Sequence, residues 1–406
     1  MPTTPTDPLE VERAGLTKST NAFPVVGIGA SAGGLDAFKK LLEAIPEFSG
    51  MAYVLVQHLH PDHNSMLPDI LQKVTKIPVL EISDDIKVLP DHIYIIPSNK
   101  MMIANDGVLQ LTPRTTSKNE LNLPIDLFFT SLAEVHQSHS IGVVLSGTAS
   151  DGTKGLIAIK EHGGITFAQD EESAAYNGMP ESAIQAGVVD FILPPEKIPQ
   201  KLLEITKIIN RNGAADENIP QQDGEHFKQM LALLRVLKGT DFTYYKQTTI
   251  SRRILRRMAL NKNEKPADYL KFLRGNKPEL DILYQDLLIP VTSFFRDPKS
   301  FENLCETVFP QIIKNEKDAD PIRIWVAGCS TGQEVYSMAI CLKEFLGNRS
   351  ERVQLFATDI SEPAILKARS GIYSKNETEG LTSQNLQEFF TKNNDTYQVN
   401  KSIRDV

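Results

Sequence analysis

The chain has 406 residues, of which 41% are apolar and 23% charged, and its formal net charge is −8. This length allows two or three globular domains, and the acidic balance argues against a general nucleic-acid binder. No apolar run approaches the roughly 18 residues of a membrane span, and three cysteines without CxxC spacing indicate a cytoplasmic protein without a disulfide framework.

Residues 1–21 are polar and Pro-rich, which predicts a disordered lead and not a signal peptide. From 22 to 210, short apolar runs alternate with amphipathic stretches, which predicts a doubly wound, mainly parallel α/β sheet with helices on both faces. The predicted strands are Val25–Ile28, Tyr53–Val56, Ile93–Ile96, Gly142–Leu145, Ile165–Ala168 and Val188–Ile192. The predicted helices are Leu35–Ile45, Asp126–His136, Gly152–Glu161 and Ile198–Ile209. Asn105-Asp106-Gly107, between two apolar runs, signals a hairpin and predicts an antiparallel edge on this sheet.

The rest of the chain divides by composition and periodicity. Residues 211–225 are polar with Gly and Pro, and predict a linker. Residues 226–288 have helical periodicity, which predicts a small all-α unit of three or four helices. From 289 to 406 the strand–helix alternation returns and predicts a Rossmann-like α/β domain. Its first predicted elements are the strands Ile322–Ala327 and Val353–Ala357 and the helices Gln333–Leu346 and Glu362–Arg369.

Three residues of the first domain each follow a predicted strand: Ser31, His58 and Asp151. The carboxyl ends of strands in an open parallel sheet meet at one crevice, so these side chains can combine as nucleophile, base and orienter. The small residues around Ser31 permit a tight turn, and the helix that follows offers N–H groups to an oxyanion. The pattern therefore predicts an acyl-transfer hydrolase.

Three alternatives remain open from the residues alone. The glycines from Gly27 to Gly33 could form a dinucleotide loop, although Gln57-His58 stands where that fold has an acid. Asp151 could simply cap the helix that follows it. A zinc hydrolase could use the closely spaced residues His58, His60, Asp62 and His63, with His136 and His139 as further ligands.

Residues 23–205 resemble the catalytic domain of the bacterial chemotaxis protein-glutamate methylesterase, CheB. The matching motifs are Ile28-Gly-Ala-Ser31-Ala-Gly-Gly34, Gln57-His58, Leu145-Ser-Gly-Thr-Ala-Ser-Asp151-Gly152 and Asn177-Gly-Met-Pro180. The resemblance implies that Ser31, His58 and Asp151 are the triad. It also implies hydrolysis of glutamate γ-methyl esters on a receptor's helical bundle to glutamate and methanol, with glutamine deamidation as a side activity and no cofactor.

Two departures from that family bear on the expectation. Thr148-Ala-Ser150 stands where the family usually has Met-Gly-Asn, so the family's side-chain contact to the oxyanion is not expected there, although a backbone N–H of this segment could still serve the oxyanion hole. The receiver domain that normally precedes the catalytic domain is absent, and we therefore expect no control by phosphorylation of this chain.

A basic stretch and a small-residue loop mark the second half. Residues 246–262 contain no acid and carry the basic residues Lys246, Arg252, Arg253, Arg256, Arg257 and Lys262. Such a helix is a candidate contact for an acidic protein surface, or else a solvated face. Further along, the loop Gly328–Gly332 follows one predicted strand, and Asp359 follows the next. A tight loop and an acid in these positions suit the binding of a nucleoside. The alternative is an ordinary βα turn in which Asp359 caps a helix.

Residues 226–406 resemble the chemotaxis receptor methyltransferase, CheR. The matching motifs are Thr292-Ser-Phe-Phe-Arg296-Asp, Ser330-Thr-Gly-Gln-Glu334-Val-Tyr-Ser337, Ala357-Thr-Asp359-Ile and Ala368-Arg-Ser-Gly-Ile-Tyr373. The resemblance implies that Thr292, Arg296, Glu334 and Asp359 contact S-adenosylmethionine (SAM), and that the basic helix faces the receptor through Arg252, Arg253, Arg256 and Arg257. The family's usual Asn is Pro290 here, which removes one contact.

A methyltransferase sheet of this kind has about seven strands, and only two parallel strands fit before Thr382, with a small β insertion beginning near Lys392. We therefore expect a fragment of a longer fused protein with weak or no transferase activity. The leading prediction is a bifunctional, cytoplasmic receptor-modification protein that neither binds nucleic acid nor enters a membrane. A non-catalytic scaffold that binds receptor helices or a kinase is the alternative.

Overall fold

The computed structural model describes residues 16–19, 21, 23–57, 66–114, 123–212, 221–288, 292–315, 321–347, 353–374, 376–378, 380–394 and 396–404. The chain forms two compact units, Met1–Tyr284 and Gln285–Val406. No helix in the described ranges combines the length and apolar character needed to cross a bilayer.

The first unit contains a seven-stranded parallel sheet. The strands described in this unit are β1 (Val25–Ala30), β2 (Ala52–Gln57), β3 (Val79–Glu81), β4 (Ile86–Lys87), β5 (Ile93–Ile95), β6 (Lys100–Asn105), β7 (Val108–Pro113), β8 (Ser140–Val144), β9 (Ile165–Gln169) and β10 (Phe191–Leu193). The main sheet has the order β10-β9-β8-β1-β2-β5-β3, and every neighbouring pair in it is parallel. The chain therefore extends the sheet from β1 first on the β2 side and later on the β8 side.

Helices cover both faces of this sheet, as the alternation of apolar runs predicts. They are α1 (Gly34–Glu43), α2 (Leu67–Gln72), α3 (Pro124–His136), α4 (Thr153–Glu161), α5 (Gly178–Gln185) and α6 (Ile198–Asn212). Successive strand residues point to opposite faces, so Val26 and Ile28 pack with α1 and α6, while Val25 packs with α3, α4 and α5. The doubly wound α/β architecture is confirmed.

The predicted hairpin forms, but it is not an edge of the main sheet. Strands β6 and β7 pair antiparallel on either side of Asp106-Gly107, and β7 also pairs with β4, which gives a separate three-stranded sheet. The hairpin lies against α3, where the N–H of Ala104 donates to Ser131 Oγ at 2.9 Å. The prediction of an antiparallel edge is wrong because packing on α3 draws the hairpin away from the main sheet.

Four helices follow, as the periodicity predicts. They are α7 (Gln221–Lys238), α8 (Gln247–Leu260), α9 (Pro266–Gly275) and α10 (Lys277–Leu288). Helix α6 continues to Asn212 and α7 starts at Gln221, so helix occupies both ends of the predicted linker 211–225. Residues 213–220 of that linker lie outside the described residues.

Helix α8, the basic helix, packs against the first domain. Arg256 is 3% exposed, donates from Nε to the Gly164 carbonyl at 3.0 Å and forms an ion pair with Asp190. Arg253 is 6% exposed and donates to the Glu161 carbonyl at 2.7 Å. These side chains join the helical unit to the α/β domain.

The other two arginines of the predicted receptor surface also have partners within the chain. Arg252 hydrogen-bonds Gln137, and Arg257 forms a two-pronged pair with Glu279, with 2.9 Å from Nε to Oε1. Arg253 and Arg256 are buried, and the prediction of a receptor-facing row is therefore wrong for them, while for Arg252 and Arg257 it stays a prediction. The charge pattern of α8 does not reveal that carbonyl and carboxylate oxygens from distant parts of the chain lie opposite it.

The pair between Arg256 and Asp190 allows a stability prediction. Removing one partner of a buried ion pair leaves the other charge uncompensated, which costs about 3 kcal/mol or more. We expect Arg256→Ala to lower the free energy of unfolding of the first unit by this amount in urea. Arg274→Ala, which removes an exposed arginine from α9, should change it by less than about 0.5 kcal/mol, and equal effects would contradict the prediction.

The second unit contains a short parallel pair and a small antiparallel sheet. Its elements are α11 (Pro298–Asn303), a π turn (Leu304–Val308), α12 (Phe309–Asn315), β11 (Ile322–Ala327), α13 (Gln333–Leu346), β12 (Val353–Thr358), α14 (Glu362–Ser370), β13 (Ile372–Ser374), α15 (Ser383–Phe389), β14 (Phe390–Asn393), β15 (Thr396–Val399) and α16 (Lys401–Arg404). β11 pairs parallel with β12, and β13-β15-β14 is antiparallel. Trp325 and Phe356 are partners in register and are 69% and 52% exposed.

Candidate active site and cofactor site

Ser31 directly follows β1, the central strand of the main sheet. The strands next in sequence, beginning with β2, lie on one side of β1, and the later strands, beginning with β8, lie on the other. Its N–H donates to the carbonyl of Ser146 at 3.0 Å, so the turn after β1 is joined to the loop after β8. A Cβ at Gly147 would stand 3.1 Å from the Ser31 Cβ and would collide with Met179. Only glycine allows this close approach. Ser31 therefore lies against the start of the loop that leads to Asp151.

Ser146 fixes this turn through hydrogen bonds and was not among the predicted site residues. Its buried Oγ donates to the Ala32 carbonyl at 2.9 Å and accepts the N–H of Tyr176 at 3.0 Å, while its own N–H donates to Gln169 Oε1 at 2.8 Å. These bonds connect the residue after Ser31 to the loops that follow β8 and β9. The available signal was a small polar residue between Leu145 and Gly147, directly after an apolar strand.

His58 lies outside the described residues, as do His60, Asp62 and His63 of the zinc alternative. The strand before it ends at Gln57, whose register partner on β1 is Ala30, the residue before Ser31. Of the two further ligands in that alternative, burial lowers the pKa of His136 to about 4, and His139 is also buried. In the part of the chain that the structure describes, no three potential metal ligands come together.

Asp151 is buried and is bound to the start of α3. Its Oδ2 accepts the N–H of Ile125 at 3.1 Å, and its Oδ1 accepts the N–H of Asp126 at 2.8 Å. Asp126 in turn accepts the N–H groups of Gly152 at 2.9 Å and Gly155 at 2.8 Å, at the start of α4. The alternative in which Asp151 caps the helix that follows it is therefore wrong. Asp126 caps that helix, and Asp151 caps α3.

Asp126 titrates unusually, because its carboxyl is buried beside a second carboxylate. Burial, and then the charge of Asp151, raise its pKa from 3.8 to about 7. The folded state thus binds an extra proton between about pH 4 and 7, and the free energy of unfolding falls as pH rises through that window. We expect the stability of the wild type relative to Asp126→Asn to fall by up to about 4 kcal/mol from pH 4 to pH 8 in urea. Parallel curves for the two proteins would contradict this assignment.

The predicted SAM contacts lie around the ends of β11 and β12. Asp359 follows β12, and its two carboxylate oxygens accept the N–H groups of Ser330 at 2.8 Å and Ser361 at 2.7 Å. This carboxylate therefore holds the loop after β11 against the end of β12. Glu334 is exposed in the first turn of α13, directly after that loop.

The other two predicted contacts belong to a segment anchored on α13. The N–H of Phe295 donates to Ser337 Oγ at 3.0 Å, one turn beyond Glu334. Phe294 packs edge-on against Tyr373, with 5.0 Å between ring centroids. Thr292 and Arg296 flank this phenylalanine pair, with Thr292 half-buried and Arg296 exposed.

The loop after β11 has room for a ligand on one side. Gly328 has a φ of 73°, and a Cβ placed on it would meet no atom within 4 Å among the described residues. Carboxylates accept hydrogen bonds from ribose hydroxyls and from an ammonium group, and SAM carries both kinds of donor. Glu334, in the first turn of α13, and Asp359, directly after β12, therefore fit SAM in their chemistry.

Comparison with protein families divides the chain into three consecutive matches. Residues 26–202 match the CheB methylesterase model, 225–288 the all-alpha domain of CheR methyltransferase, and 290–406 the SAM binding domain of CheR methyltransferase.

Individual relatives match most or part of the chain. An uncharacterized 104.1 kDa protein in the hypE 3'region of Rhodobacter capsulatus is 34% identical over 361 residues, which cover 83% of this chain and 38% of that protein. A Thermotoga maritima protein-glutamate methylesterase/protein-glutamine glutaminase is 32% identical over 48% of this chain and 58% of its own length. The crystal structure of the Thermotoga maritima CheB methylesterase catalytic domain matches at 33% identity, with a TM-score of 0.42, over 45% of this chain and 98% of that one. The chain thus spans roughly two fifths to three fifths of these two full-length relatives.

Proposed function

Because this chain joins a CheB methylesterase domain to the all-alpha and SAM-binding domains of a CheR methyltransferase, we propose that it acts in the cytoplasm and changes the methylation state of receptor glutamates. The hydrolase half removes γ-methyl groups, and the other half binds SAM, the methyl donor of the reverse reaction. The hydrogen bond from Ser31 N–H to the Ser146 carbonyl is the observation that carries the hydrolase assignment, because it brings the nucleophile segment against the loop of Asp151.

The hydrolase chemistry is a two-step acyl transfer. Ser31 Oγ attacks the ester carbonyl while His58 takes its proton, and Asp151 accepts the other ring N–H of His58. The Ser31 N–H is engaged by Ser146, so N–H groups after Ser31, at the start of α1, stabilise the oxyanion. Methanol leaves with the proton from His58, and water then releases the glutamate. Glutamine deamidation follows the same route with ammonia as the leaving group.

In the second half, SAM supplies the methyl group when it is bound. Glu334 binds its ammonium group and Asp359 accepts hydrogen bonds from the ribose hydroxyls. Thr292 and Arg296 close the site from the segment anchored on Ser337. The support for these roles is the position of Glu334 in the first turn of α13, the position of Asp359 directly after β12, and the open side of the Gly328 turn.

Methanol release from methyl-esterified receptor helices tests the hydrolase proposal directly. We expect the full chain to release methanol catalytically and to continue to do so in the presence of EDTA. Binding of the receptor helices without methanol release would favour the scaffold alternative. Release that EDTA abolishes, with stoichiometric zinc in the purified protein, would favour the zinc hydrolase.

Calorimetric titration with SAM tests the second half. A hydrogen bond to a charged group contributes about 1.5–3 kcal/mol, so Glu334→Gln should weaken SAM binding by about 10- to 100-fold. Glu334 is exposed, and its replacement should leave the unfolding temperature unchanged. Glu388→Gln makes the same charge change at an exposed site on α15 and should bind SAM like the wild type. Equal affinity of all three proteins would contradict the role of Glu334.

A further inference from the structure

Asp151 caps α3, which contains Asp126, and Asp126 caps α4, which follows Asp151. These reciprocal caps connect both the main chain and the side chain of Asp151 to Asp126. The N–H of Gly152 belongs to the peptide that follows Asp151, and it donates to the Asp126 carboxylate. The Asp151 carboxylate in turn accepts the N–H of Asp126 itself. Asp126 is 7% exposed and Asp151 is 1% exposed, so water competes little for these bonds. A displacement of Asp126 would therefore move the backbone and the carboxylate of Asp151 together.

We propose that Asp126 is a positioning residue for the Ser31 site, which holds the Asp151 carboxylate in the orientation that His58 requires. This inference rests on the proposed function of Ser31, because Asp151 has a partner to orient only if the triad operates. Asp126 itself need touch neither the substrate nor the reacting atoms. Its contribution is to fix the turn between β8 and α4 at the residue that carries the orienting charge.

The titration of Asp126 is compatible with this role. Two fully ionised carboxylates in one buried cluster repel each other, and the raised pKa of Asp126 means that it takes up a proton near neutral pH. Proton uptake by Asp126 lowers the charge of this cluster, in which both oxygens of Asp151 accept backbone N–H groups. Lys154, in the first turn of α4, acts on Asp126 in the opposite direction.

The other elements packed on α3 add little charge near Asp126. Strands β1 and β8 contain no titratable residue, and the only one on β2, Tyr53, packs with the cluster on the opposite face of the sheet. Lys100 on β6 is exposed. His139, after the C-terminus of α3, and Lys160 and Glu161, at the C-terminus of α4, lie at the opposite ends of their elements from Asp126 and Lys154. Asp151 and Lys154 are therefore the charged groups that act on Asp126 in its described surroundings.

The rate at which a fluorophosphonate labels Ser31 tests the inference without any receptor substrate. In this reaction Ser31 Oγ bonds to phosphorus, fluoride leaves and His58 takes the hydroxyl proton. Asp126→Ala removes the acceptor of both α4 N–H groups, and small misplacements in an active site cost up to about 100-fold. We expect labelling of the full chain to slow by about 10- to 100-fold. Asp126→Asn retains an acceptor oxygen, and we expect it to label within about threefold of the wild type.

Arg256→Ala serves as the matched control, since it destabilises the same unit at a buried pair on α8. Well below its unfolding temperature it should label at the wild-type rate, which separates positioning from a general loss of stability. Labelling of Asp126→Ala at the wild-type rate, or no recovery in Asp126→Asn, would overturn the inference and leave the proposed function standing. A wild type in which Ser31 is not labelled would overturn both.

Discussion

Ser31→Ala should reduce methanol release from methyl-esterified receptor helices by about ten thousandfold or more. The variant removes the atom that forms the acyl-enzyme and leaves the N–H that donates to Ser146, because that bond comes from the backbone. We therefore expect an unchanged fold and an unchanged affinity for receptor helices. The measurement is initial-rate methanol release by the full chain at saturating substrate.

The two proposed sites provide controls for each other. Ser31→Ala should bind SAM like the wild type, and Glu334→Gln should release methanol like the wild type, because each change leaves the other site intact. Methanol release by Ser31→Ala within tenfold of the wild type would contradict the serine mechanism. It would favour the zinc hydrolase alternative, whose first ligand is His58.

Asp151→Asn should lower methanol release by about a thousand- to ten-thousandfold, since an amide cannot stabilise the charged imidazole or hold its required tautomer. The amide also places an NH2 group opposite one of the backbone N–H groups of Ile125 and Asp126. We expect a loss of about 1–3 kcal/mol in stability from that mismatch. The rates are therefore compared well below the unfolding temperature of the variant.

A double variant separates a shared role from two independent ones. Members of a triad act as a unit, so their losses do not add. We expect the Ser31→Ala, Asp151→Asn protein to release methanol no more slowly than Ser31→Ala alone. If the reduction in the double variant equals the product of the two single reductions, Asp151 contributes independently of Ser31, as a purely structural cap.

The strands and helices were predictable because they depend on local patterns. The bounds of α13, Gln333–Leu346, agree with the prediction to the residue, since a small-residue turn precedes this helix and Gly347 follows it. The position of Ser31 at the carboxyl end of β1 also follows from the local pattern, because an apolar strand ends at a run of small residues. Element type and the carboxyl-end placement of Ser31, Asp151 and Asp359 therefore needed no knowledge of distant contacts.

The differences at Asp151 and at α8 concern partners far apart along the chain. Asp126 and Asp151 exchange helix caps across 25 residues, and Arg256 meets Asp190 across 66. An aspartate before a helix has the same local pattern whether it caps its own helix or another one. A row of arginines likewise has the same pattern whether it faces solvent or a buried carboxylate. Only the packing of the elements decides between these outcomes.

The docking of α8 has a practical consequence for anyone who dissects this protein. A hydrolase fragment cut within residues 213–220 would lose the guanidinium that neutralises Asp190 and the donor that satisfies the Gly164 carbonyl. It would also uncover the apolar surface on which Ala259 sits. Expression trials of the hydrolase should therefore carry the chain past Leu260, and a shorter product that precipitates would say nothing about whether Ser31 is a competent nucleophile.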